Sequence, residues 1–160
     1  STALLIASLH ASASGGARAT PTPTPDKAAF GKAVDAKIKE LLREEDLEES
    51  NRDRRKTVYG DLDGDGDEDA AVEYVWNFIG GNGWGQGLLV YVNENGQFKF
   101  ASEETVGGKG GRMTELKSIG NGKINFDTET YAEDDADCCP SIKGTTAYVL
   151  RGDQLIETKK

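Results

Sequence analysis

The sequence predicts an α+β domain: one N-terminal helix packed on an antiparallel β-meander, preceded by an extended N-terminal strand. Three observations predict it. Phe30, Val34, Ile38, Leu41 and Leu42 recur at helical spacing. From residue 57 onward, short apolar runs alternate with turns rich in Gly and Asn. The chain also carries 20 glycines in 160 residues, which suits a fold with many tight turns.

The first 25 residues differ in character from the rest. Residues 1–19 form an N-terminal arm that is small and apolar, with Leu4, Leu5, Ile6, Ala7, Leu9, Ala11 and Ala13. As a strand, it would turn Leu5, Ala7, Leu9, Ala11 and Ala13 to one face and Leu4 and Ile6 to the other. Such a strand fits the groove of a neighbouring sheet, where main-chain hydrogen bonds give affinity and side chains give register. The competing expectation is the remnant of a secretion signal, with Ala17-Arg18-Ala19 as an A-x-A-like cleavage site. Residues 20–25 are a Thr/Pro repeat that favours extended polyproline II and acts as a stiff spacer. Its Thr20, Thr22 and Thr24 are candidate O-glycan acceptors.

The globular domain is expected over 26–160. A helix over 26–49 has Thr24 or Asp26 as its cap, and its charged end continues into 52–56 as a solvated loop. The residues 57–59 and 70–79 read as strands on either side of an acidic loop. The second of these presents Tyr74, Trp76 and Phe78 on one face. Residues 80–87 read as an irregular glycine-rich connection. Three hairpins follow, turning at 93–96, 120–122 and 151–153.

The acidic loop carries the chemistry. Six acidic residues occupy the nine positions 61–69, a density that calls for a hard cation. Asp61, Asp63, Asp65 and Asp69 stand at positions 1, 3, 5 and 9, where side chains can converge on one ion, and Asp67 offers its backbone carbonyl. Gly64 and Gly66 permit the tight curl. A solvated acidic turn is the plainer alternative. An EF-hand is rejected, because its bidentate Glu position holds Val72 and a strand follows in place of a helix.

The loop 60–72 resembles the calcium loops of FG-GAP and related repeats, in which D-x-D-x-D-G-x-x-D lies between two strands. That resemblance implies one calcium site and no propeller. The single loop, the Gly-rich hairpins and Asp137-Cys138-Cys139-Pro140-Ser141 also resemble small secreted bacterial domains, which implies export and supplies no activity. The arm resembles the donor strand of strand-exchange filament subunits.

The remaining features narrow the function. A net charge of −9 argues against nucleic-acid and anionic-membrane partners. No apolar run is long enough to span a bilayer. Calcium loops of this kind suit an extracellular or cell-surface setting, where Cys138 and Cys139 are expected in an oxidised form. Trp84 is a candidate glycan contact, although folding over the Tyr74, Trp76 and Phe78 face is the preferred reading. Glu129, Glu133, Asp134, Asp135 and Asp137 lack the regular spacing of the first loop and read as solvated. His10 is the single histidine, so a nucleophile–base arrangement has no credible base.

The expectation is therefore a non-enzymatic, calcium-stabilised subunit that polymerises with itself, head to tail, into an extracellular filament. The alternative is a monomeric secreted module that binds glycan or envelope polymer.

Overall fold

The computed structural model describes residues 23–158. Leu4 to Ala13, expected to form a donor strand, lie outside the described residues, as do the cleavage-like triplet, His10, Thr20 and Thr22, whereas Thr24 is exposed.

Helix α1 (Lys27–Glu44) starts at Asp26, whose carboxylate accepts the N–H groups of Ala28 at 2.8 Å and Ala29 at 3.1 Å. Two orphan donors of the first turn are satisfied in this way. Phe30, Val34, Ile38 and Leu42 form its buried face. The helix ends before the residue 49 expected from sequence, because Asp46 takes a left-handed φ of 53° and reverses the chain. The three residues that follow form strand β1 (Leu47–Glu49), and a 3₁₀ turn at Arg52–Arg54 leads to β2 (Lys56–Gly60).

The acidic loop then opens into β3 (Asp69–Phe78), β4 (Trp84–Glu94) and β5 (Gln97–Gly108). These strands form a five-stranded sheet in the order β1-β3-β4-β5, with β2 also paired to β3. All pairs are antiparallel, with Tyr74 opposite Gly87 and Trp76 opposite Gly85. The remaining strands β6 (Arg112–Gly120), β7 (Lys123–Thr130), β8 (Ile142–Arg151) and β9 (Gln154–Thr158) make a four-stranded antiparallel meander. The architecture is thus α+β, with the strands divided between two sheets.

Three layers result: α1, the first sheet and the second sheet. Ala70, Val72, Tyr74, Leu89 and Tyr91 meet the helix. Ala71, Leu88 and Val90 face the other way, against Leu116, Ile124, Phe126 and Tyr148 of the second sheet. Burial on both faces explains why these strands read as nearly continuous apolar runs. At one side the layers nearly touch, since a Cβ on Gly60 would lie 2.8 Å from the Ile119 carbonyl oxygen.

The turns sort to two poles. The acidic loop, the β4–β5 turn and the β6–β7 turn share one pole, where Gly122 approaches the Leu62 carbonyl and Pro23 packs directly on Gly96. The β3–β4 and β5–β6 turns share the opposite pole, where Lys109 N–H donates to Trp84 O at 3.1 Å. The C-terminal end of α1 and β1 lie there too, since β1 pairs with the end of β3.

Candidate functional site

The acidic loop is shaped by its own carboxylates. Asp61 accepts the N–H of Gly64 at 2.7 Å on one oxygen and that of Gly66 at 3.1 Å on the other. Asp63 accepts from Asp65 N–H at 3.2 Å, and Asp65 from Asp67 N–H at 2.8 Å. Gly64 and Gly66 sit at φ of 89° and 91°, where any other residue would be strained. Leu62 is buried in the core between the sheets and anchors the loop.

This curl gathers three of the expected residues. One carboxylate oxygen each from Asp61, Asp63 and Asp65 lies within 4.8 Å of the others. Calcium takes oxygens at about 2.3–2.6 Å, so two ligands of one ion stand no more than about 5 Å apart. The triad meets that limit. Asp63 and Asp65 are exposed and Asp61 is half-buried.

Asp67 and Asp69 stand outside the triad. Asp67 is half-buried, whereas Asp69 is fully buried. One Asp69 oxygen accepts the N–H of Leu62 at 2.7 Å and the other that of Asn93 at 2.8 Å. Burial pushes the Asp69 carboxyl above its ordinary value, and the two N–H donors oppose that shift. In this arrangement Asp69 ties the loop to β4.

Among the described residues, the later acidic run does not gather as the triad does. Asp135 instead closes its own loop by accepting from Ala132 N–H, Ser141 N–H and the Ser141 hydroxyl at 2.7, 2.8 and 2.9 Å. The Ala132 N–H first, then the Ser141 hydroxyl, holds its carboxyl below the ordinary range. Cys138 and Cys139 are exposed in this loop and joined by a disulfide.

The second half of the glycine-rich connection expected at 80–87 is strand, since β4 begins at Trp84. Its glycines face the aromatic row of β3. A Cβ on Gly83, Gly85 or Gly87 would fall 2.5, 2.2 or 2.4 Å from the rings of Phe78, Trp76 and Tyr74 respectively. Each ring lies across bare backbone. Glycine and aromatic residues alternating with the same period of two was the sequence signal for this arrangement.

The row leaves the core gradually: Tyr74 is buried, Trp76 half-buried and Phe78 50 % exposed. It floors a groove of about 450 Å³ with Glu44, Glu45, Glu103 and Glu104 among its lining residues. Trp84 points to the opposite face, where it lines a smaller cavity of about 220 Å³ with Arg54 and Gln86. A third depression, about 430 Å³, lies between α1 and β1.

No protein-family model, curated protein or solved structure matches the chain. Functional inference therefore rests on its own residues. Among the described residues, no helix is long and apolar enough to cross a membrane.

Sequence reasoning also missed a buried polar network between the sheets. Glu73 of β3 accepts from the Thr114 hydroxyl at 2.7 Å, Leu116 N–H at 3.0 Å and Gln86 Nε2 at 3.3 Å. Gln86 in turn donates to the Thr114 carbonyl at 2.6 Å and accepts Thr114 N–H at 2.8 Å. A Glu flanked by Val72 and Tyr74 was the available hint.

Proposed function

We propose that this chain is the structural subunit of an extracellular filament, stabilised by calcium at the acidic loop and polymerising head to tail through its N-terminal arm. The observation that supports this reading is the polarity of the molecule. Pro23, from which the arm continues, sits against Gly96 at the pole of the acidic loop. Exposed apolar surface lies at the opposite pole, where Phe78 is 50 % and Ile79 63 % exposed. An arm leaving one pole toward a surface on the other builds a heterologous, repeating contact. Calcium is favoured at the triad because carboxylate oxygens on a curled loop suit its variable coordination better than the strict octahedron of magnesium. The reading assigns the chain no catalytic role.

Electron microscopy of the full chain, with and without a calcium chelator, tests this function. Regular fibres are expected from the full chain, and none from a chain shortened to begin at Thr20. Fibres formed by the shortened chain, or discrete monomers of the full chain at high concentration with calcium, would overturn it.

A second reading, a glycan- or envelope-binding module, is supported by the aromatic groove. Trp76 and Phe78 offer faces for sugar stacking, and the surrounding glutamates offer acceptors for hydroxyl groups. In that case Trp76→Ala weakens binding in a glycan titration while Trp84→Ala does not.

A further inference from the structure

We propose that the groove floored by Tyr74, Trp76 and Phe78 binds a linear aliphatic polyamine. Its methylene chain lies on the aromatic row, and its ammonium groups meet Glu44, Glu45 and Glu103. This inference holds whether or not the chain polymerises.

Charge singles out this groove. Four glutamates and no Lys, Arg or His stand among its described lining residues. The depression between α1 and β1 differs, because Lys39 and Arg43 share its lining with the acidic groups. Glu44 and Glu45 close the C-terminal end of α1, where the helix dipole adds negative potential. Glu103 comes from β5 and stands opposite Leu89, on the side of the sheet that faces the helix. Among the described residues, no ion pair holds Glu44, Glu45 or Glu103. Lys37, whose charge reaches Glu103, is bound to Glu40 at 3.0 Å. Glu104 turns to the other side of β5 and accepts Thr105 N–H at 3.1 Å.

Tyr74 points to a ligand independently of that charge. It is 6 % exposed, and its hydroxyl has no hydrogen-bond partner among the described residues. The ring lies across Gly87, which pairs with Thr105, so the hydroxyl is carried toward the β5 rim. A buried hydroxyl without a partner calls for one, and a ligand N–H supplies it.

The aromatic row makes the cation an organic one. The Trp76 and Phe78 rings stand 5.5 Å apart at 88°, a corner of two walls. An ammonium within about 6 Å of a ring centroid is attracted to its face. Leu41, Leu42 and Leu47 offer apolar surface to methylene groups, from which a metal ion would gain nothing. The groove holds about 450 Å³, within the range of about 300–1,000 Å³ usual for small ligands. Unpaired carboxylates on two rims call for positive charge at more than one point, which a polyamine has and a single lysine side chain lacks. A neutral sugar in the same place would leave those charges uncompensated.

The test titrates the full chain with spermidine by calorimetry, at saturating calcium and physiological salt. Saturable one-to-one binding is expected. Glu44→Gln combined with Glu103→Gln should weaken it about tenfold, and Trp76→Leu about threefold. Glu133→Gln combined with Asp134→Asn removes the same charge from a distant loop and should leave it unchanged. All four acidic residues are exposed, so these substitutions leave the core intact. Absence of saturable binding, or equal weakening by the two double variants, would overturn the proposal. Maltohexaose bound as tightly as spermidine would overturn the cation as ligand. A peptide with one lysine between glycines, bound as tightly as spermidine, would overturn the polyamine in favour of a protein partner.

Discussion

Replacing Glu73 by Gln changes one atom in the network that joins the two sheets. Glu73 is 6 % exposed and offers two acceptor oxygens to three donors. In Glu73→Gln only one oxygen remains. If it keeps Thr114 and Gln86, the new NH₂ faces the N–H of Leu116, a fully buried residue. Leaving that group unpaired costs about 1–3 kcal/mol, or roughly 3–10 °C in melting temperature for a domain of this size. The penalty depends on pH. Burial pushes the Glu73 carboxyl above its ordinary 4.5, opposed chiefly by the Thr114 hydroxyl and Leu116 N–H and more weakly by the Lys56 charge, while Glu115 adds to the rise. The protonated acid keeps both oxygens as acceptors, and Thr114 Oγ can take its proton. Because the folded state binds this proton more tightly than the unfolded chain, the stability it confers is fully present below pH 4.5. It is lost as pH rises through the raised value. Gln does not titrate, so the gap between the two proteins is widest near pH 4 and narrows toward pH 7. Denaturant unfolding of both at saturating calcium across that range measures it. A gap that widens with pH would show that the three donors outweigh burial and would refute the reasoning.

Three further outcomes follow from the geometry. If the triad holds calcium as proposed, chelation from a solution with free calcium at a hundred times the dissociation constant removes about 3 kcal/mol; calorimetry should record that loss, and Asp63→Asn should reduce it. Gly85→Val places a Cβ 2.2 Å from the Trp76 ring and expels it from the sheet face, costing about 1–3 kcal/mol and shifting tryptophan fluorescence to the red. Unchanged emission would count against the stacked geometry. Tyr91→Phe removes a buried hydroxyl that has no hydrogen-bond partner among the described residues; its packing on Phe30 and Phe100 stays, so stability rises by about 1 kcal/mol, and a fall would reveal a hidden partner.

The helix was legible because one face of it is core, and period 3.6 survives when only one face is buried. β1 was not, because Leu47–Glu49 is three residues within a charged run and owes its strand geometry to Trp76, Asn77 and Phe78 across the sheet. The division into two sheets was hidden for a similar reason. Each hairpin is local, but the break between β5 and β6 is set by packing between distant strands. In the acidic loop, spacing revealed Asp61, Asp63 and Asp65, whose hydrogen bonds all fall within five residues. The tie made by Asp69 was invisible, because its second partner, Asn93, lies 24 residues away.

That long-range tie links two features that sequence treats as separate. From the triad, the chain runs to Asp69, whose carboxylate holds the N–H of Asn93. The Asn93 side chain accepts Gly96 N–H at 2.9 Å, and Gly96 forms the seat of Pro23. Three contacts therefore lead from the acidic loop to the root of the arm, all at one pole. The same pole concentrates six acidic side chains of a molecule whose net charge is −9. Unneutralised, that charge repels any second copy approaching with its own acidic surface, and a divalent ion at the triad lowers the barrier. Under the filament reading, calcium thus acts twice at one place: it orders the loop that braces the arm root, and it reduces the repulsion that a head-to-tail contact must overcome.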